Sequence, residues 1–294
     1  MAVQSPRTCI PSVLLAVLLC PGVSSGAAER AAITLQRGQV AEAGLGPSRI
    51  TGVEHGLSAR SAGRPGAGGT WVLGLDYRYT RFEYAGLDSR NRDLHRAAPS
   101  LAWRRAGAGP RGGFGGWLSP VVATSSNVFK DLARRGSRRD LQWHGGAWWA
   151  QPAGGGHWRF ELARDDITGA TRVRPGIAWM QRDDTLEMAL GWPSSEAALA
   201  LSPAWTARAR LAPAGGRWHV VSDERGGAGF DYRMRAWRLG LGLDRAFGEH
   251  WRLQGMAGLE FDRRHRFEDD LGALIDRRAG DAAWLGLALE WRGR

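Results

Sequence analysis

Alternation with a period of two runs through most of the chain. Trp71, Leu73, Leu75, Tyr77 and Tyr79 fall on one side of the pattern, with Gly74, Asp76, Arg78 and Thr80 on the other. The same division recurs with Trp158, Phe160 and Leu162 against Arg159 and Glu161, with Val173, Ile177 and Trp179 against Arg174, Gly176 and Ala178, and with Leu186, Met188, Leu190 and Trp192 against Glu187, Ala189 and Gly191. It returns in Leu199, Leu201, Trp205 and Leu211 against Ser202, Thr206, Arg208 and Arg210, and in Trp251, Leu253, Leu259 and Phe261 against Arg252, Gln254, Glu260 and Asp262. Successive side chains of a strand point to opposite faces, so these are strands with one apolar face. Weaker segments near 94–105, 114–125, 140–151, 216–222 and 230–244 bring the expected number to about twelve. Between Ala236 and Trp237 the phase flips, as a β-bulge or a break into two strands would make it.

Connection lengths alternate as well. Short turns at 106–113, 152–156, 182–184, 213–216 and 246–249 are interleaved with longer polar loops at 85–92, 126–139, 164–171, 223–229 and 263–282, while the link at 193–196 is short where a long one is expected. Short turns on one side and long loops on the other suit an up-and-down membrane barrel. The chain contains no apolar run of the ~18 residues that a membrane-spanning helix needs. Gly is 42 of 294 residues and Trp is 15. Each Gly inside a helix costs about 1 kcal/mol relative to Ala, so this composition argues against a helical bundle.

Periodicity alone does not distinguish a soluble barrel, apolar face inward, from a membrane barrel, apolar face outward. The polar faces here mix Gly and Ala with charges of both signs, which suits a crowded, hydrated lumen. Aromatic residues such as Trp71, Tyr79, Phe82, Trp158, Trp192, Trp205, Trp251 and Phe261 fall near strand ends, where a bilayer interface favours Trp and Tyr. A backbone in lipid must satisfy its own hydrogen bonds, which for strands requires closure. The expected fold is therefore all-β, a closed antiparallel up-and-down transmembrane β-barrel over residues 70–294. Residues 28–69 lack Trp, Phe and Tyr, are rich in Gly, Ala and Arg, and read as a flexible N-terminal tail. Ahead of it, Arg7, the apolar run Val13–Cys20 and the small residues Ser25-Gly26-Ala27 have the form of a cleaved signal peptide, 1–27.

The segment Ala283-Trp284-Leu285-Gly286-Leu287-Ala288-Leu289-Glu290-Trp291 resembles the C-terminal strand of Gram-negative outer-membrane β-barrel proteins. The resemblance implies that Leu285, Leu287, Leu289 and Trp291 form a β-signal read by the barrel-assembly machinery. Arg292-Gly293-Arg294 follows the terminal aromatic, a departure from that pattern. The stretch Phe230–Asp270 is similar to uncharacterised small outer-membrane barrel proteins. These resemblances imply location and architecture, and no particular activity.

The net charge of +11 is carried almost wholly by Arg, with Lys130 the one lysine. Basic residues are spread along the chain among acids, without a recognition-helix or zinc-finger pattern, so a nucleic-acid partner is not expected. The expected lumen-lining set is Asp76, Arg78, Arg159, Glu161, Glu187, Arg208, Arg210, Arg238, Asp244, Arg252, Glu260 and Asp262. It either interlocks as salt bridges or lines a narrow pore in which the Arg excess favours anions. Lys130, Arg134, Arg135, Arg138 and Arg139 crowd one loop and offer guanidinium forks to lipopolysaccharide phosphates, or form an ordinary solvated charged loop. Ser125, Ser126 and His144 flank that loop and are the candidates for a Ser/His catalytic set, set against ordinary loop polarity. Glu268, Asp269, Asp270, Asp262 and Asp276 have Ca²⁺-type oxygens, but Arg263, Arg264, Arg266, Arg277 and Arg278 among them favour ion pairing. No histidine pair has ligand spacing, and neither a metal nor another cofactor is expected. The leading expectation is an outer-membrane barrel with a structural or narrow passive-transport role. The alternatives are a lipid-modifying outer-membrane enzyme and a soluble periplasmic barrel binding an apolar ligand.

Overall fold

The computed structural model describes residues 30–293 apart from 67, 88, 90, 91, 108–111 and 224. The expected signal peptide lies outside the described residues. The elements in chain order are β1 (Ala32–Leu45), β2 (Ser48–Arg60), β3 (Arg64–Gly66), β4 (Gly69–Ala85), β5 (Arg92–Ala106), β6 (Gly113–Ser125), α1 (Ser126–Phe129), α2 (Leu132–Arg135), β7 (Leu141–Ala153), β8 (Gly156–Asp165), β9 (Arg172–Arg182), β10 (Leu186–Trp192), β11 (Ser195–Ala200), β12 (Trp205–Pro213), β13 (Gly216–Ser222), β14 (Ala228–Phe247), β15 (Trp251–Glu268), β16 (Leu274–Arg278) and β17 (Ala282–Arg292).

Fourteen of these strands close an antiparallel barrel. β1 pairs with β17 from Ala32↔Arg292 to Val40↔Trp284, and the up-and-down order runs through β2, β4 to β12, β14 and β15. Three features separate this from a count of twelve. Residues 32–60, read from sequence as a tail, supply two wall strands whose outer face is carried by Ile33, Leu35, Val53 and Leu57 rather than by aromatics. The 199–211 run is two strands, β11 and β12, joined by a tight turn in which Ser202 bonds Trp205. β13 is not a separate wall strand: it continues β12 in the same register along β14, from Pro213↔Trp237 to Gly216↔Met234.

Along β14 the apolar face changes sides. Below, Leu239, Leu241 and Leu243 are exposed on the outside while Arg238, Gly240 and Asp244 point inward. Above, Phe230, Tyr232, Met234 and Ala236 are buried inside while Asp231, Arg233 and Arg235 face out. The strand itself stays regular at the flip. The bulge lies on its partner, where Asp262 adopts φ 48° between the pairs Arg235↔Arg264 and Trp237↔Phe261. β4 repeats the change, from Leu73 and Leu75 outside to Phe82 inside. β2, β5 and β6 do likewise with Ile50, Leu94 and Val121.

The change of side divides the apolar face of these strands between an outer belt and a buried core. In the belt, Leu73 and Leu201 are each 57% exposed and Leu241 is 66% exposed. From Phe247 to Trp237 it rises about 33 Å along the strand, or about 25 Å at a tilt of ~40°. A soluble barrel would turn this face inward. The core lies in the loop-side mouth, joining Ile50, Phe82, Leu94 and Val121 of the wall to Trp218, Tyr232, Met234 and Phe267.

The outer belt predicts the effect of Leu241→Arg. Urea unfolding of the barrel in lipid vesicles should show a loss of about 2–4 kcal/mol. A change below ~0.5 kcal/mol is what a water-facing site would give.

Candidate functional site

The mouth and the space beneath it hold most of the buried polar chemistry. β10 and β11 are short, and their hairpin ends at Pro193. The β13–β14 hairpin above them therefore has no wall neighbour on that side, and it arches across the opening to the opposite wall. There His219 bridges Thr124 of β6, and the Thr124 hydroxyl donates to the His219 carbonyl at 2.9 Å. Asn127 donates to the Val221 carbonyl and Gln142 to the Arg217 carbonyl, at 2.7 and 3.0 Å. β15 and β16 extend the hairpin into a four-stranded flap in the order β13–β14–β15–β16. The inner face of this flap is the apolar stopper.

Asp140, in the loop before β7, ties the flap down. Its carboxylate lies 3.2 Å from His219 Nδ1 and accepts the backbone N–H and the hydroxyl of Ser137. Burial raises its pKa, but the hydrogen bonds from His219, Thr124 and Ser137 outweigh that and hold it at about 2.

Beneath the stopper, charged groups interlock across the lumen. Arg238 of β14 reaches Glu54 of β2 with both terminal nitrogens, at 2.9 and 2.8 Å, and gives its Nε to Glu260 at 2.6 Å. Arg263 donates to the other Glu260 oxygen and to the Gly280 carbonyl. Trp284 lies under the Arg238 guanidinium at 5.6 Å. The ring fits because Gly240 has no side chain: a Cβ there would stand 2.6 Å from it. On the opposite wall Arg96 clamps Asp166, which also takes the Arg217 N–H and has His144 at 3.8 Å. Nearer the short-turn end, Arg208 joins Glu196 and Asp244, both at 2.6 Å, and Arg252 approaches Asp244 at 3.5 Å.

Of the lumen residues expected from sequence, Arg159, Glu161, Arg208, Arg238, Asp244, Arg252 and Glu260 point inward and make these or similar pairs, Arg159 with Glu161 at 3.3 Å. Asp76, Arg78, Glu187 and Arg210 share the inward phase of their strands. Asp262 does not belong. The bulge turns it to the outer face, where Arg235 and Arg278 hold it. Glu54 was missed because its strand was read as tail. Asp166 and Glu196 were missed because they sit at strand ends, where alternation gives no signal.

The other candidates separate. The acidic group of the last loop is dispersed: Glu268 pairs with Arg225, Asp270 with Arg92, Asp276 with Arg264, and Asp269 accepts the N–H groups of Leu271 and Ala273. His144 faces the lumen beside Arg96 and Asp166. Ser125 bonds Asn127 and Val221. Ser126 instead meets His95, a residue the sequence did not single out, with Oγ 2.7 Å from Nε2. Lys130 and Arg134 are exposed on the α1–α2 segment, Arg138 and Arg139 in the turn that follows it, and Arg135 pairs with Asp223 at 2.9 Å. Leu285, Leu287, Leu289 and Trp291 share the outer face of the closing strand β17.

The sign of the Asp140 shift sets a pH window. A depressed carboxyl contributes stability above its ordinary pKa and loses it as pH falls through about 2. Limited proteolysis between residues 222 and 228 should accelerate as pH falls from 4 towards 2, and Asp140→Asn should remove that dependence. An unchanged profile in the variant would contradict the anchoring role.

No protein-family model matches the chain, and no curated protein matches it in sequence. Among solved structures, the crystal structure of an outer membrane channel from Pseudomonas putida F1 superposes with a TM-score of 0.53 at 11% identity, covering 93% of this chain and 99% of that one. A deletion mutant of the monoaromatic hydrocarbon channel TodX gives 0.44 at 9% identity, covering 93% and 92%. LpxR from Salmonella typhimurium gives 0.33 at 8%, covering 88% and 99%. In architecture, the chain is similar to the barrel of the Pseudomonas putida outer membrane channel.

Proposed function

We propose that this chain is an outer-membrane β-barrel whose lumen is stoppered at the loop end, with a structural or narrow passive-transport role rather than that of an open porin. The observation that carries the reading is the flap, whose apolar underside joins the wall residues Ile50, Phe82 and Leu94 in one core. Hydrated solutes have no favourable path through packed apolar side chains, and below them the Arg238 and Arg96 ion clusters narrow the lumen again. The exposed leucine belt supports lipid as the surrounding solvent, since monomeric soluble proteins rarely expose large contiguous apolar patches. Ala32 and Arg292, at the outer ends of β1 and β17, lie with the short turns, and the flap lies with the long loops. That arrangement suits a periplasmic short-turn end and an external flap.

The exposed cations of the α1–α2 segment are assigned in the same reading to lipopolysaccharide phosphates, and β17 to recognition by the barrel-assembly machinery. Replacing Lys130, Arg134, Arg135, Arg138 and Arg139 with Gln should reduce co-purifying lipopolysaccharide. An unchanged amount would remove this assignment. In planar bilayers the intact chain should give no stable unitary steps, whereas deletion of residues 216–234 should produce them. Steady, anion-selective steps from the intact protein would overturn the stoppered-lumen reading.

A further inference from the structure

A hydrogen-bonded polar row on the outer wall takes no part in filling the lumen. Tyr77 of β4 and His95 of β5 lie in the outward phase of their strands, continuing the rows of Leu73 and Leu75 and of Leu101. The Tyr77 hydroxyl is 2.7 Å from His95 Nδ1, and His95 Nε2 is 2.7 Å from Ser126 Oγ. Phe129, three residues beyond the serine, stacks on the imidazole at 4.5 Å and 7° and fixes its plane. A serine, an imidazole and a hydroxyl in one hydrogen-bonded row are the parts of an activated nucleophile, its base and the group that orients the base. Asp93 of β5 and Lys130, directly after Phe129, are both near enough for their opposite charges to be felt at the ring.

We propose that Ser126 and His95 are the nucleophile and base of an ester-hydrolysing site on the barrel's outer wall, with Tyr77 as positioning residue. The substrate class is the fatty-acyl ester of an anionic lipid in the leaflet around the barrel. The proposal rests on that wall meeting lipid, as argued above. With the Nδ1 proton donated to the Tyr77 oxygen, Nε2 presents its lone pair to Ser126. The serine proton passes to Nε2 as Oγ bonds the ester carbonyl carbon. The carbon–alkoxy bond then breaks, and the departing alcohol takes the proton from Nε2. Water attacks the acyl-serine, giving one proton to Nε2. The acyl–Oγ bond breaks, Oγ recovers the proton, and the fatty acid leaves. The apolar belt beneath the site accepts the acyl chain, and Lys130 with the exposed arginines behind it offers cations to an anionic headgroup.

The test uses the folded chain in vesicles of phosphatidylglycerol, with insertion followed by heat-modifiable migration. A fluorophosphonate should label Ser126, and free fatty acid should be released. Ser126→Ala and His95→Gln should each lower release about 100-fold or more. Tyr77→Phe should lower kcat at unchanged KM and displace the acid limb of the pH profile, which a tether between α1 and the wall would not do. An inserted protein that neither labels at Ser126 nor releases fatty acid above the Ser126→Ala level would overturn this proposal alone. A chain that does not insert would overturn the membrane reading with it.

Discussion

A barrel strand that passes from one surrounding to another must change which of its faces is apolar. Where lipid lies outside, hydrophobic side chains face out and the inside is left to small and charged groups. Where water lies outside, they must face in and find one another. β14 and β15 make this change within single strands, at Trp237 and Phe261, and β4 makes it just above Tyr79. The stopper follows from it. Once Phe230, Tyr232, Met234 and Phe267 turn inward above the belt, they are buried only if the hairpin bends over the mouth and meets Ile50, Phe82 and Leu94. The same requirement explains the outward charges Asp231, Arg233, Arg264 and Arg266 at that level.

Closure is the second condition. The β1–β17 ladder pairs strand edges that would otherwise carry unpaired N–H and C=O groups. It also brings Glu54 of β2 within reach of Arg238 of β14, residues 184 positions apart. A buried ion pair is weak evidence of net stability, because desolvation offsets much of the attraction. The cross-lumen clusters are better understood as filling: polar groups compatible with an inward face whose outward neighbours are leucines. Gly240 on that face lets Trp284 lie across the lumen beneath Arg238.

Alternation made the outer belt and the inward charges legible in the sequence, because a period of two fixes the face of every residue in a regular strand. It failed where that regularity stops. Asp262 reads as a lumen residue because one bulged residue shifts the phase, and a bulge has no obligatory sequence mark. β1 and β2 read as a tail because their outward residues include Arg37, Gln39 and His55, so the contrast between faces is weak. The flip at Ala236 is visible in the sequence as a bulge or a break into two strands; in the structure β14 runs unbroken through it, the bulge lies on β15, and the apolar residues change sides. The Ser126–His95 contact joins residues 31 positions apart through strand register, which no local pattern carries.

The central claim is that the apolar face crosses from outside to inside along β14, and site-directed spin labelling tests it most directly. Cys9 and Cys20 both lie ahead of the described residues, so a chain without them takes single cysteines from 230 to 243. High oxygen accessibility is expected at 239, 241 and 243, exchanged for accessibility to a water-soluble nickel chelate at 231, 233 and 235. Positions 230–236 of even number should be shielded from both. Oxygen accessibility that continues on the odd positions up to 231, or that appears on the even ones, would contradict the central claim.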